Sequence, residues 1–233
     1  MPWGQPSRKS RREDFALGTP VQGRAPATVS MPPTAQVIIP SMLSLSKPQR
    51  QSILAFIAAQ QNQNFSYAEV GSSRTQAPPG YIVDHNRVNL GQGIEAFERA
   101  KNAIRQWKMF DMPWIELCWP DTPIEPCATV AVVVSHLGFW SMNACRIVYV
   151  IDEHGSSERY GFAYGTLPDH REQGEERFTV EFDTDDQTVW YDLYAISRPN
   201  MLARLAYPVA RGLQKRFARD SKVAMQTAVQ PIP

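Results

Sequence analysis

Three groups of residues in this chain have side chains and spacings that could do chemistry. His170 lies shortly ahead of Glu175 and Glu176, with Tyr164 just before it. An imidazole beside carboxylates can relay protons or supply metal ligands, so Tyr164, His170 and Glu176 are the candidate acid and base groups. The structural alternative is that the two glutamates alternate faces of a strand, one solvated and one paired with Arg146, Arg177 or Arg198. No HExxH or comparable ligand spacing is present, so no metal is expected. Gly91-x-Gly93-x-x-Ala96 matches the dinucleotide-binding pattern. That pattern works only inside a βαβ unit of a parallel sheet, where the helix N-terminus meets the pyrophosphate. The sequence that follows has no such units, so we read a tight strand-to-helix turn that uses glycine for positive φ, and expect no cofactor. Arg146 and Asp192 form the third group. Each shares strand parity with large apolar residues, Trp140 and Met142 in one case, Trp190 and Tyr194 in the other. They are either a buried salt bridge or a polar contact at the base of a pocket. No GxSxG elbow, P-loop or Cys-His constellation is visible, which argues against covalent hydrolase chemistry.

The elements that must hold these groups follow from hydrophobic periodicity. Ser46 and Pro48 mark the start of a helix over 49–61 carrying Ile53, Leu54, Phe56 and Ile57. An extended segment over 81–90 comes after Pro78, Pro79 and Gly80. Ile94, Phe97, Ala100, Ile104 and Trp107 recur at steps of three and four and predict an amphipathic helix. Beyond Pro113 the pattern becomes short β-branched and aromatic runs, predicting strands at 114–119, 127–135, 139–151, 159–167, 175–182 and 188–197. None is separated by a helix-length insert, so the sheet is an antiparallel meander. After Pro199 one long helix is expected to about Thr227, its stripe formed by Leu202, Leu205, Val209, Leu213 and Phe217, with a kink at Pro208. A twisted sheet buries its concave face most simply under that last helix.

Composition sets the outer bounds. With 233 residues, 43% of them hydrophobic, the chain can bury one sizeable core. Lys and Arg total 24 against 23 Asp and Glu, which gives no chain-wide attraction to nucleic acid. The terminal helix is locally basic through Arg204, Arg211, Lys215, Arg216, Arg219 and Lys222. It is either a solvated face or a weak contact for an anionic surface. Residues 1–40, rich in proline with a basic cluster at Arg8, Lys9, Arg11 and Arg12, read as a disordered tail, and 41–64 as a helical arm. The tail lacks the apolar core of a secretory signal, and Cys118, Cys127 and Cys145 are unlike any CxxC pair. A soluble protein of the cytoplasm is expected, its cysteines packed in strands as small hydrophobes.

Several sequence words then stand together. They include Tyr67 with Val70-Gly71, Pro79-Gly80-Tyr81, Leu90-Gly91-x-Gly93, Asn143-x-Cys145-Arg146, the run from Gly161 to Pro168 with His170, Gly174 to Phe178, Ser197-Arg198-Pro199, and Gln214, Phe217 and Asp220. On these the chain resembles the family known as domain of unknown function 1990, which has no agreed activity. The resemblance implies the helix-grip fold of START domains, polyketide cyclases and pathogenesis-related allergens: α+β, with a curved antiparallel sheet of about seven strands around a long C-terminal helix and a helical insert after the first strand. The domain is expected over 65–227, with a tail over 228–233.

The leading functional expectation is a small apolar or amphipathic ligand held between sheet and terminal helix. Tyr81, Arg146, Phe162 and Tyr164 would contact it from the first part of the sheet, and Thr166, Trp190, Asp192 and Arg198 from the rest. Two alternatives stay open: a cofactor-free cyclase- or dehydratase-like enzyme using Tyr164, His170 or Glu176 in the same cavity, and an interaction module with a filled core.

Overall fold

The β-branched and aromatic runs pair as an antiparallel sheet, and the amphipathic segments pack on both of its faces. The computed structural model describes residues 43–170, 172–199 and 207–231, all within the unit Val37–Pro233. In chain order the elements are β1 (Leu43–Ser44), α1 (Arg50–Gln60), β2 (Ile82–Gln92), α2 (Ile94–Arg105), β3 (Ile115–Cys118) and β4 (Thr129–His136). They continue with β5 (Phe139–Glu153), β6 (Ser157–Thr166), β7 (Glu172–Asp183), β8 (Thr188–Pro199) and α3 (Tyr207–Val229). The sheet runs β2-β8-β7-β6-β5-β4-β3, with the two-residue β1 on β5 off that path. Every neighbouring pair is antiparallel. The fold is therefore the expected helix grip, seven strands curving around a C-terminal helix.

The inner face, under α2 and α3, carries the main core. Phe97, Ala100, Ile104 and Trp107 are buried as the periodicity requires, and Phe162, Phe178 and Leu193 meet them from the sheet. Ile94, counted in the same stripe, is exposed instead, at the first position of the helix. Gly93 ahead of it has φ 86° and caps α2, so the glycine pattern is the tight turn it was read as, beside an antiparallel strand.

The outer face has a core of its own. α1 lays Ile53, Phe56 and Ile57 against Ala131, Val133, Met142 and Ala144. Ser46 is not its cap, because the helix opens at Gln49 without a side-chain cap bond. The segment from Phe65 to Arg74 covers the rest of this face. Its approach depends on Gly165, where a Cβ would lie 2.0 Å from the Tyr67 hydroxyl. Cys118 and Cys145 are buried in strands, whereas Cys127 is exposed in a turn at φ 74°, outside the strand run assigned to it.

The expected tail at 1–40, and Leu202, Arg204 and Leu205 of the terminal helix, lie outside the described residues, as does the turn before Pro208 that a kink would involve. No helix among the described residues is long and apolar enough to cross a membrane.

Candidate functional site

Between the inner face and α3 lies a cavity of about 840 Å³, walled by apolar side chains of both layers such as Phe110, Val132, Leu193, Leu213 and Phe217. That is room for a whole small molecule. Tyr164 and Glu176 stand opposite each other in the β6–β7 register, and the Tyr164 hydroxyl donates to Glu176 Oε2 at 2.8 Å. Burial raises the Glu176 carboxyl from 4.5 to about 7, although the tyrosine bond acts in the opposite direction. It also pushes the Tyr164 phenol well above its ordinary range. His170 lines the same cavity, and burial lowers its imidazole to about 4, so it is neutral at pH 7. Its Nδ1 accepts from the backbone N–H of Glu172 at 3.1 Å.

Two polar links hold α3 over the cavity. Gln214 Nε2 donates to Glu172 at 2.6 Å, and burial raises the Glu172 carboxyl as well. Arg211 grips Asp84 of β2 through both terminal nitrogens, Nη2 to Oδ1 at 2.6 Å. At another part of the wall Asn143 donates to Ser141 Oγ and to the Val132 carbonyl, each at 3.3 Å. The chemistry available therefore combines the Tyr164–Glu176 pair and neutral amides with the charged side chains of Asp84, Lys215, Arg219 and Lys222 around an otherwise apolar enclosure. Glu176 divides near pH 7 between acid and carboxylate, so it can exchange a proton or anchor a carbonyl or hydroxyl. Among the described residues no three His, Cys, Asp or Glu side chains cluster as a metal site.

The outer face carries a second polar group of different character. Glu175 is 3% exposed. It accepts from the Tyr67 hydroxyl at 2.8 Å, from the Ser73 N–H at 3.0 Å, and also from the Ser73 hydroxyl and the Gly71 N–H. Arg177 joins this cluster through the Ser73 carbonyl at 2.9 Å and continues to Asp192 at 3.1 Å. Asp192 in turn meets His85. Tyr67 and Gly71 thus converge on one spot with Gly165 and Glu175, which lie about a hundred residues further along the chain.

A family model described as "Domain of unknown function (DUF1990)" matches residues 66–224. This chain belongs to that family. A Dictyostelium discoideum relative named "UPF0548 protein" is 34% identical over 207 residues, covering 81% of this chain and 96% of its own. A Deinococcus radiodurans protein of the same name is 37% identical over 191 residues, covering 76% and 94%. The solved structure of Ara h 8.0201 covers 64% of this chain and 98% of its own at 13% identity and a TM-score of 0.41. A likeness that loose adds nothing to the arrangement described above.

In this DUF1990 chain, four sequence-predicted site residues, Tyr164, Thr166, His170 and Glu176, line the cavity. Phe162 shares their face but is fully buried beside it, its ring 4.7 Å from Trp107 and 5.2 Å from Phe178 between centroids. The other five belong to the outer face or its rim. Arg146 donates to the carbonyls of Gln60, Gln61 and Gln63 and so ties down the end of α1. Trp190 lies under the Arg87 guanidinium, and Asp192 pairs with Arg177, not with Arg146. Tyr81 donates to Glu69 at 2.7 Å and carries Arg198 over its ring. The two glutamates do alternate faces, as the structural alternative had it, but the partners differ from those expected: hydroxyls and backbone N–H groups for buried Glu175, and the Tyr164 hydroxyl for half-buried Glu176.

Two physical causes explain the exchange of faces. The outer face is apolar too, so parity with Trp140 and Met142 does not identify the cavity side. A bulge in β5 between Ile147 and Tyr149 then inserts one residue, so Val150 joins the inner core while Arg146 stays outside. Asp84, Ser141 and Glu172 escaped the sequence reading, and Asn143 and Gln214 entered it only among the words of the family resemblance, not as site residues. The readable signal was the second parity class of β5, Ser141 with Asn143, small polar residues inside a strand otherwise apolar.

Proposed function

We propose that this protein binds a small apolar or amphipathic molecule in the cavity between sheet and α3. The observation that carries the reading is an apolar volume of about 840 Å³ with a Tyr164–Glu176 hydrogen bond set inside it. The ligand lays its apolar body against Phe110, Leu193 and Phe217 and brings a carbonyl or hydroxyl to Glu176 or Tyr164. A volume of that size is at odds with an interaction module whose core is filled. Native mass spectrometry of the purified protein and thermal shift against a panel of lipids and isoprenoids test the proposal. A retained mass or a clear rise in melting temperature is expected, since ligand at about 100 times its Kd stabilises by ~2.7 kcal/mol. A protein that carries nothing and responds to no member of the panel contradicts it.

A second reading is favoured by one observation: Glu176, poised near pH 7, and Tyr164 are within hydrogen-bond reach in the cavity, with neutral His170 on its wall. Such groups suit cofactor-free proton transfer in a cyclase- or dehydratase-like reaction. A bound compound that the parent converts and the Glu176→Gln variant only binds supports this reading. Identical recovery of every ligand from both proteins argues for binding alone. We place the protein in the cytoplasm, a setting supported by three unpaired cysteines.

A further inference from the structure

We propose that the β4–β5 hairpin tip, together with the basic stretch of α3 beside it, docks on an anionic membrane surface. The proposal goes beyond the cavity reading and does not depend on it.

The tip is a two-residue loop, Leu137-Gly138, with φ of 49° and 79°. Two successive positive φ values are the mark of a type I′ hairpin turn, whose first position favours Asn, Asp or Gly. Leucine there is conformationally strained, because its branched side chain crowds the left-handed backbone. It gains no burial in return: Leu137 is 79% exposed, and the next side chain beyond the glycine, Phe139, is 42% exposed. Leu45, also 79% exposed, follows the β1–β5 pairing in which Ser44 faces Trp140. Three large apolar side chains therefore stand in solvent at one corner of the sheet, and turn chemistry explains none of them.

Contacts connect this corner to α3. The Ser135 N–H donates to the Trp114 carbonyl at 2.9 Å, the Trp114 indole donates to Asp220 at 2.9 Å, and Arg216 lies 4.4 Å above the Trp114 ring. Arg216 and Arg219 share the single carboxylate of Asp220, while Lys222 reaches the neutral amide of Asn86. With Lys215 on the same helix, this stretch holds four cations against one carboxylate. Lys47 lies 5.9 Å over the Trp140 ring near Leu45, but it is paired with Glu116 at 2.6 Å, so the positive charge of this surface comes from α3. His136 and Ser141, on either side of the tip, line the cavity, as do Lys215, Arg219 and Lys222.

Charge decides the occupant. An apolar tip flanked by cations matches an anionic bilayer, where the apolar side chains enter the headgroup boundary and each nearby Lys or Arg strengthens the attraction. A second copy on the same surface would set these cations against their own counterparts. A nucleic acid would leave the leucine and phenylalanine unburied.

The test is co-sedimentation of the full chain with phosphatidylcholine vesicles prepared with and without phosphatidylserine. The parent is expected to bind the phosphatidylserine vesicles and to be released by high salt. Leu137→Asn with Phe139→Thr should lower binding by about tenfold or more, from the apolar transfer lost. This variant should melt no lower than the parent, because asparagine suits the turn; Leu137→Asn alone serves if the pair does not fold. Absence of binding by the parent, equal binding by parent and variant, or equal binding to both vesicle types overturns the proposal. So does a dimer in analytical ultracentrifugation that the double variant abolishes.

Discussion

Glu175 and Glu176 are adjacent in β7 and live in opposite chemical worlds. Glu175 points outward beneath the Phe65–Arg74 segment and meets four donors, two hydroxyls and two backbone amides. Glu176 points inward to a cavity and among the described residues is given one hydrogen bond, from Tyr164. On the outer side the hydrogen bonds saturate a carboxylate and fasten a covering segment to the sheet. On the inner side burial dominates and keeps a carboxyl near neutrality. The lesson is that a buried acid satisfied on all sides is a fastener, whereas a buried acid left one bond short in open volume is available to a ligand.

The strongest challenge to this contrast is to remove the fastener. Glu175→Ala leaves two hydroxyls and two backbone N–H groups without their acceptor in a buried place, so urea unfolding should show a loss of at least ~3 kcal/mol. A loss near zero would mean the outer cluster does not hold the Phe65–Arg74 cover. The corresponding inner change has the opposite sign. A carboxyl with a folded pKa of about 7 against 4.5 favours folding below pH 4.5, and that contribution is lost as pH rises to 7. Glu176→Gln should therefore be more stable than the parent above pH 7 by roughly 1–3 kcal/mol, the difference vanishing below pH 4.5. Melting curves across that range check it.

His170 provides a smaller test. Its folded pKa of about 4 against 6.5 contributes stability that is complete above pH 6.5 and lost as pH falls toward 4. Between pH 4.5 and 6.5 it opposes Glu176, so the parent's stability should be nearly flat there. In His170→Gln the histidine contribution is gone, and melting temperature should fall with rising pH across that window. The smallest effect belongs to Arg198→Ala. Its side chain sits with Tyr81, Gln173 and Glu69 away from the cavity, so ligand affinity should match the parent's; a tenfold loss would move Arg198 to the ligand.

Much of this molecule was legible in the sequence, and the part that was not follows one pattern. The strands and α2 could be read because their periods of two and of three to four extend over whole elements, as Phe97, Ala100, Ile104 and Trp107 do. Which side of the sheet was the cavity could not be read from parity. α1 and the Phe65–Arg74 segment cover the outer face, so Met142 and Ala144 are as buried as Cys145 and Ile147. A strand buried on both faces loses the alternation that would orient it. Arg146 and Asp192 look like pocket charges for that reason, and the bulge after Ile147 conceals the change of face. Tyr164, Thr166, His170 and Glu176 were identified because they fall in the run from Gly161 to Pro168 with His170 and in the run from Gly174 to Phe178. Glu172 and Gln214 meet only in three dimensions.

The central claim is that the volume under α3 is a binding site, and filling it is the direct test. Ala195 lines the cavity from β8, so Ala195→Phe should put a ring into that space. Binding of the apolar dye 1-anilinonaphthalene-8-sulfonate is titrated in parent and variant, with circular dichroism to establish that both are folded. Saturable binding by the parent and a loss of about tenfold or more in the variant is the result the account predicts. A folded variant that binds the dye as tightly as the parent, or a parent that does not bind it, would contradict the account.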